Sequence, residues 1–375
     1  MKAIVRFSIL LAGCVSSRLG AQDQAVSGAD PARWSASDAA GYLDRRIDWW
    51  MNWQTSVRDH GTFCVSCHTA VPYAIARPTL HAAVEGGVRT QLEWKLLDNV
   101  ARRVRMWEVV EPFYPDATRG VPKTLESRGT ESVLNAVILT SYDARDGKLS
   151  ADGRRALDNM RGQQLKIGDE KGAWPWLQFH NAPWEGDSQF YGSTLAAIAV
   201  GTAPGNYRSI PEIQAGLRLL REYLVRQQES QILIDRVVLL WASAPLSGIL
   251  TPAQQQSIIE EALRKQRADG GFSLTDFVGT WKRADGTALE TKSDGYATGL
   301  VAFALQKAGV PRDQAQMHRA LEWLARNQDA REGRWFAYSL NKQRDLSTDI
   351  GRFMSDAATA YAVLALEQKE QAGHP

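Results

Sequence analysis

Asp294-Gly295-Tyr296-Ala297-Thr298-Gly299-Leu300-Val301-Ala302-Phe303-Ala304-Leu305 and Asp356-Ala357-Ala358-Thr359-Ala360-Tyr361-Ala362-Val363-Leu364-Ala365-Leu366 follow one recipe in two places. Each opens on an acidic residue, then mixes small residues with spaced large apolar side chains. An acid at a helix start satisfies free backbone donors and complements the helix dipole. Small residues on several faces let neighbouring helices approach closely, so both segments predict helices enclosed by other helices. Asp187 to Val200 repeats the recipe. Thr130 to Tyr142, Gln231 to Ala244 and His68 to about Val84 are weaker copies, and Pro72 and Pro78 predict a kink or split in the last.

More charged segments precede or separate these: Ser35 to Ser56, Thr90 to Trp107, Ser150 to Gln164, Ile210 to Gln228, Thr251 to Arg267 and Arg312 to Gln328. Ser150 and Thr251, the latter with Pro252 behind it, are helix-start signals. Stripes such as Leu217, Leu220 and Leu224, with Tyr223 beside them, predict helices with one wet face. The inner-type segments recur every 45 to 62 residues, enough for two helices and two loops. Six pairs alternating around a ring bury every inner helix. The expected fold class is therefore all-α, an (α/α)6 toroid over residues 35–370, since no later linker is long or polar enough to divide it.

Composition agrees with one large core and excludes other classes. The chain has 375 residues, 44 % of them hydrophobic, and 44 basic against 42 acidic side chains scattered along its length. No basic block with interleaved aromatics points to nucleic acid. At the N-terminus, Lys2 and Arg6 precede the apolar run Phe7 to Gly13, and Leu11-Ala12-Gly13-Cys14 resembles a bacterial lipoprotein signal. We expect residues 1–21 to serve export, with cleavage before Cys14 or after Ala21, and residues 22–34 to form a flexible tether. A lipid on Cys14 would anchor the protein to a membrane on the periplasmic side. The run itself is too short to span a bilayer, which takes about 20 residues.

Arg319-Ala320-Leu321-Glu322-Trp323-Leu324-Ala325-Arg326-Asn327-Gln328, followed by Gly333-Arg334-Trp335, resembles the glutamine–tryptophan repeat of squalene–hopene cyclases and the wider terpenoid cyclase and prenyltransferase superfamily. Degenerate copies are Gln164 with Gly172-Ala173-Trp174 and Gln266 with Gly270-Gly271-Phe272. Physically, such a glutamine bonds turn backbone while the aromatic ring covers it, making the motif a staple of the fold. The resemblance implies the toroid but not the reaction. The Asp-x-Asp-Asp run that protonates an alkene in class II cyclases is missing from this sequence, and the internal cysteines lie far from the zinc positions of prenyltransferase β subunits.

Cys64-Val65-Ser66-Cys67-His68 has the spacing of covalent haem c attachment, with Cys64 and Cys67 as thioether positions and His68 as an iron ligand. Export, which that assembly needs in bacteria, is expected independently. A two-cysteine disulfide, or a zinc site drawing on His60 or His81, are the other readings. Parallel inner helices would bring Glu131, Asp187, Asp235, Asp294 and Asp356 to the same end, so haem is expected at one mouth of the ring among carboxylates. Arg128 is a candidate anchor for a propionate or another carboxylate. Met106 is a candidate distal iron ligand, with Met160, Met354, His60 and His180 as alternatives. Glu185, Asp187 and His180 are candidate catalytic groups. Trp174, Trp176, Trp184, Phe190, Tyr191, Phe272, Trp281 and Tyr296 are the expected cavity wall. The functional expectation is a haem-dependent periplasmic oxidoreductase acting on an apolar or isoprenoid-like substrate. An electron-transfer cytochrome serving a redox partner protein, and a cyclase-like or ligand-binding toroid without haem, are its alternatives.

Overall fold

The computed structural model describes residues 34–84, 86–180, 182–185 and 189–368. The alternation of charged and small-residue segments becomes an alternation of outer and inner helices. The outer helices are α1 (Ala36–Asn52), α3 (Gln91–Arg105), α5 (Ala151–Gln163), α7 (Gln214–Gln227), α9 (Pro252–Arg264) and α11 (Ala315–Arg326). The inner helices are α2 (Ala70–Ala76), α4 (Lys123–Arg145), α6 (Phe190–Thr202), α8 (Leu233–Ser243), α10 (Gly295–Lys307) and α12 (Phe353–Glu367). Each inner helix packs on the next, and α12 packs on α2, so the inner ring closes. The fold is an α/α toroid.

Burial follows the sequence pattern. Every residue of α10 from Gly295 to Gln306 and of α12 from Met354 to Ala365 is buried, whereas α9 buries only Ile258, Ile259 and Ala262. At Gly299 an added Cβ would lie 2.6 Å from the Ala362 backbone nitrogen, so the α10–α12 approach itself demands a small residue there. The start signals at Ser150, Thr251 and Asp294 act as read, and Ser35 and Thr90 serve likewise. Ser35, Ser150 and Asp294 accept from the backbone N–H three residues on, and Thr90 with Glu93 and Thr251 with Gln254 form reciprocal capping boxes.

Two inner helices are irregular, the first as its prolines predict and the second against expectation. Pro78 breaks the first, so α2 is seven residues long and continues as a 3-10 turn, Arg77–Leu80, and a short helix, His81–Val84. α4 begins at Lys123, well before Thr130, which moves Glu131 from a helix start to the helix interior. There it is fully buried and ion-paired to Arg103, at 2.5 Å.

The glutamine–glycine–aromatic motifs are staples, and their second half is a neighbouring outer helix. Gln164 Nε2 donates to Gly172 O in its own turn and to Gly216 O of α7. Gln266 does the same with Gly270 O and Gln316 O of α11. Gln328 donates to Gly333 O and exchanges two bonds with the Ser35 backbone at the start of α1, clipping the last pair to the first. Trp174 and Trp335 cover the turns and donate from Nε1 to Met160 O and Leu324 O.

The export signal, Cys14 and the tether as far as residue 33 lie outside the described residues. Trp34, placed by the sequence reading at the tether's end, packs on Trp335 with ring centroids 6.0 Å apart. Among the described residues no helix is long and apolar enough to cross a membrane.

Candidate functional site

The Cys64–His68 segment is held at the start of α2 by bonds its sequence makes locally. A short hairpin of β1 (Val57–Arg58) and β2 (Thr62–Phe63) leads into it, clamped to α3 by Asn99, which bonds both the N–H and the carbonyl of Phe63. Trp50 Nε1 donates to Cys64 O at 2.8 Å. Ser66 Oγ accepts from Thr69 N and Ala70 N, capping the helix between the two cysteines.

His68 sits at the head of a buried relay. Thr69 Oγ1 donates to Asp356 Oδ2 at 2.7 Å, so its lone pairs face His68 Nδ1 at 2.8 Å and accept that nitrogen's proton. Asp356 Oδ1 also accepts from Tyr42 OH and Arg46 Nε, and Arg46 continues to Asp349. This fixes the tautomer and leaves the Nε2 lone pair uncommitted among the described residues. Burial, reinforced by Arg46 and Arg344, pushes His68 down to about 3, so the imidazole is neutral near pH 7. The Phe353 ring stacks on it at 3.9 Å, and Trp50 and Trp184 flank it at 5.0 and 5.6 Å.

These groups line a cavity of ≈ 230 Å³ at the mouth where the inner helices begin. Its aromatic walls are Trp50, Trp53, Phe113, Tyr114, Trp176, Phe179, Trp184 and Phe353. Cys64, Cys67 and His68 share one side of it, and Met354 contributes a thioether. Burial pushes the Cys64 thiol up to about 11 and the Cys67 thiol further, so both are protonated near neutral pH. Among the described lining residues Glu185 is the one carboxylate and Arg344 the one cation. Glu185 accepts from Phe179 N at 2.9 Å, which folds the loop from Trp174 to Trp184 over the mouth. Trp176 Nε1 donates to Trp184 O in the same loop, and Leu177 N is tied to Thr130 of α4.

The expected residues divide accordingly. Cys64, Cys67, His68 and Glu185 come together. His180 is exposed, with a left-handed backbone (φ +54°), and is not among the lining residues; Asp187 lies outside the described residues. Arg128 donates to Trp107 O and Val110 O and lies over the Trp107 ring. Met106 caps α3 away from the cavity, and Met160 is core. His81 is paired with Glu93, and His60 with Asp59, so neither joins the cysteines. The expected ring of helix-start acids does not rim the mouth. Glu131, Asp235, Asp294 and Asp356 are buried among inner helices, where burial pushes Asp235 up to about 7 and Asp294 up to about 6. Of the expected aromatic wall only Trp176 and Trp184 line the cavity; Phe190, Tyr191, Phe272 and Tyr296 pack the core. Trp50, Trp53 and Phe353 were missed because the first two lie at the end of an outer helix and the third is brought in by ring closure.

No protein-family model matches the chain, and no curated protein matches it. Solved structures do. A glycosidase variant superposes with a TM-score of 0.51 at 15 % identity, covering 88 % of this chain and 96 % of its own. The wild-type glycosidase gives 0.49 at 15 % identity over the same shares. The first likeness shows the α/α toroid fold. It corrects the reading of the chain as a cytochrome c-like, haem-dependent, metal-binding oxidoreductase: the fold is one found in glycosidases. In addition, no group of three or more His, Cys, Asp or Glu side chains among the described residues is placed to hold a metal ion. The zinc alternative falls on the second finding.

Proposed function

We propose that this chain is a ligand-binding toroid that takes a flat, largely apolar molecule into the mouth cavity, with His68 Nε2 as its directional contact. The observation that carries the reading is the His68–Thr69–Asp356 relay. A half-buried, neutral imidazole is held in one tautomer, and its other lone pair, uncommitted among the described residues, faces an aromatic-walled space. Stacking on Trp and Phe faces supplies affinity, and one fixed acceptor supplies orientation. Binding is favoured over glycoside hydrolysis because that reaction uses two facing carboxylates, and the described lining supplies Glu185 alone. The resemblance to terpenoid cyclases is proposed for architecture only, on the strength of the staple geometry. Localisation is proposed as periplasmic, with a lipid on Cys14 holding the protein at a membrane; Cys14→Ser should then move it to the soluble fraction.

The test is calorimetric titration with 1-naphthol, whose ring matches the aromatic walls and whose hydroxyl can donate to His68. Saturable one-to-one binding is expected, weakened about tenfold or more by Phe353→Ala. Absence of saturable binding up to the solubility limit of the probe would overturn the reading.

A second reading of the same wall concerns a bound group. Cys64, Cys67 and His68 lining one cavity, with His68 Nδ1 anchored and Nε2 open among the described residues, support our proposal that Cys64 and Cys67 would hold haem c through their thiols while His68 would supply an imidazole to its iron. When bound, the group would supply iron; the chain's own part is to fix the imidazole and exclude water, and no redox activity is assigned. Absorbance of haem that survives acid–acetone extraction, and is lost in Cys64→Ala with Cys67→Ala, is the expected result. Extraction of all colour from the wild type would remove this reading.

A further inference from the structure

Arg344 stands apart from the other arginines around the mouth. Arg46 is committed to Asp356 and Asp349, Arg283 to Glu290 and Ser339, and Arg352 to Glu332. Arg344 lines the cavity half-buried, yet forms no ion pair or hydrogen bond among the described residues. Burial alone lowers its pKa, with no acid beside it among the described residues to offset that, while its charge acts on His68 across the cavity. The nearest chain is fixed: Arg283 donates to Ser339 O and Trp281 to Leu340 O, so the start of the Arg344 loop is tied down. A guanidinium brought partly out of water without a partner is costly, and its planar fork suits a two-oxygen anion.

We infer that Arg344 reads an oxyanion, a carboxylate or a phosphate, on the ligand whose apolar body the aromatic walls hold. This deepens the binding proposal above and rests on it. The ligand class becomes an amphipathic acid: an aromatic or other flat apolar body with one anionic end. The geometry assigns the anion to the Ser339–Phe353 side of the cavity, with the body against Trp50, Trp184 and Phe353. Glu185, which also lines the cavity, disfavours an anion seated beside it.

The experiment is calorimetric titration of the full chain with 1-naphthoate, 1-naphthyl phosphate and 1-naphthol. At least one of the two anions should bind tenfold or more tighter than 1-naphthol, and which one does distinguishes carboxylate from phosphate. Arg344→Gln should remove that advantage while 1-naphthol still binds and the unfolding temperature does not fall, because Arg344 makes no structural bond among the described residues and its desolvation cost is relieved. Arg344→Lys should retain only part of it. Anions binding no tighter than 1-naphthol, or an advantage that persists in Arg344→Gln, would overturn the inference and leave the binding reading intact. If none of the three probes binds, both fail.

Discussion

The first and last helix pairs are built on opposite principles. The last pair is regular. α12 is fifteen residues of small and apolar side chains, and the turn before it carries the full Gln328, Gly333 and Trp335 staple. The first pair has a seven-residue inner helix broken by Pro78, preceded by a hairpin and by the Cys64–His68 segment. The regular pairs make a shell, and the irregular pair holds the unusual side chains. The two meet at Asp356, which belongs to α12 but orders His68 through Thr69. A repeat freed from the staple has loop length to spare for chemistry, provided its neighbour supplies the missing rigidity.

The largest expected break in that arrangement is Asp356→Ala. It strands Tyr42 and Thr69 and leaves buried Arg46 with the more exposed Asp349 as its remaining acid, so denaturant unfolding should show a loss of about 3 kcal/mol. Because the acid also fixes the His68 tautomer, 1-naphthol affinity should fall with it. Asp356→Asn, which keeps the shape and one acceptor, should fall between.

Asp235 sharpens the comparison from the regular side. It is buried in α8, its Oδ1 lacks a partner among the described residues, and burial pushes it up to about 7. Its folded pKa exceeds the unfolded value near 3.9, so the folded state holds its proton longer. Stability is therefore lost as pH rises between those two values, and the loss is complete above about 7. Asp235→Asn should be close to neutral at pH 4 and stabilising at pH 8, by up to about 4 kcal/mol at 1.36 kcal/mol per unit. Unfolding temperatures at the two pH values decide it; a gain that shrinks with rising pH contradicts the sign.

Smaller effects test the staples. At Gly333 the backbone is left-handed (φ +81°), and a Cβ would lie 2.2 Å from Asp38 O of α1. Gly333→Ala should cost about 2 kcal/mol or more from strain and displacement. Gln164→Ala, which abandons Gly172 O and Gly216 O, should cost about 1–2 kcal/mol. If Gln328→Ala costs no more than Gln164→Ala, closure through Ser35 adds nothing.

The contrast also explains what could be read in advance. The helix alternation, the caps at Ser35, Thr90, Ser150, Thr251 and Asp294, and the staple glutamines were legible because each depends on residues within a few positions of one another. Cys64, Cys67, His68 and Glu185 were picked out by local spacing and do share a cavity. Arg128 and Met106 were not placed there, since proximity in sequence to Glu131 or to the cysteines carries no direction. The helix-start acids were read as a rim; long-range partners and burial instead put them inside.

By itself the sequence determined the toroid, because a small-residue period repeated six times leaves few ways to bury that many inner helices. It also determined the Cys64–His68 turn, whose cap lies between its own cysteines. Only the tertiary structure decided what faces that turn. Asp356, Phe353 and Arg344 come from the far end of the chain, and it is ring closure that sets them against His68.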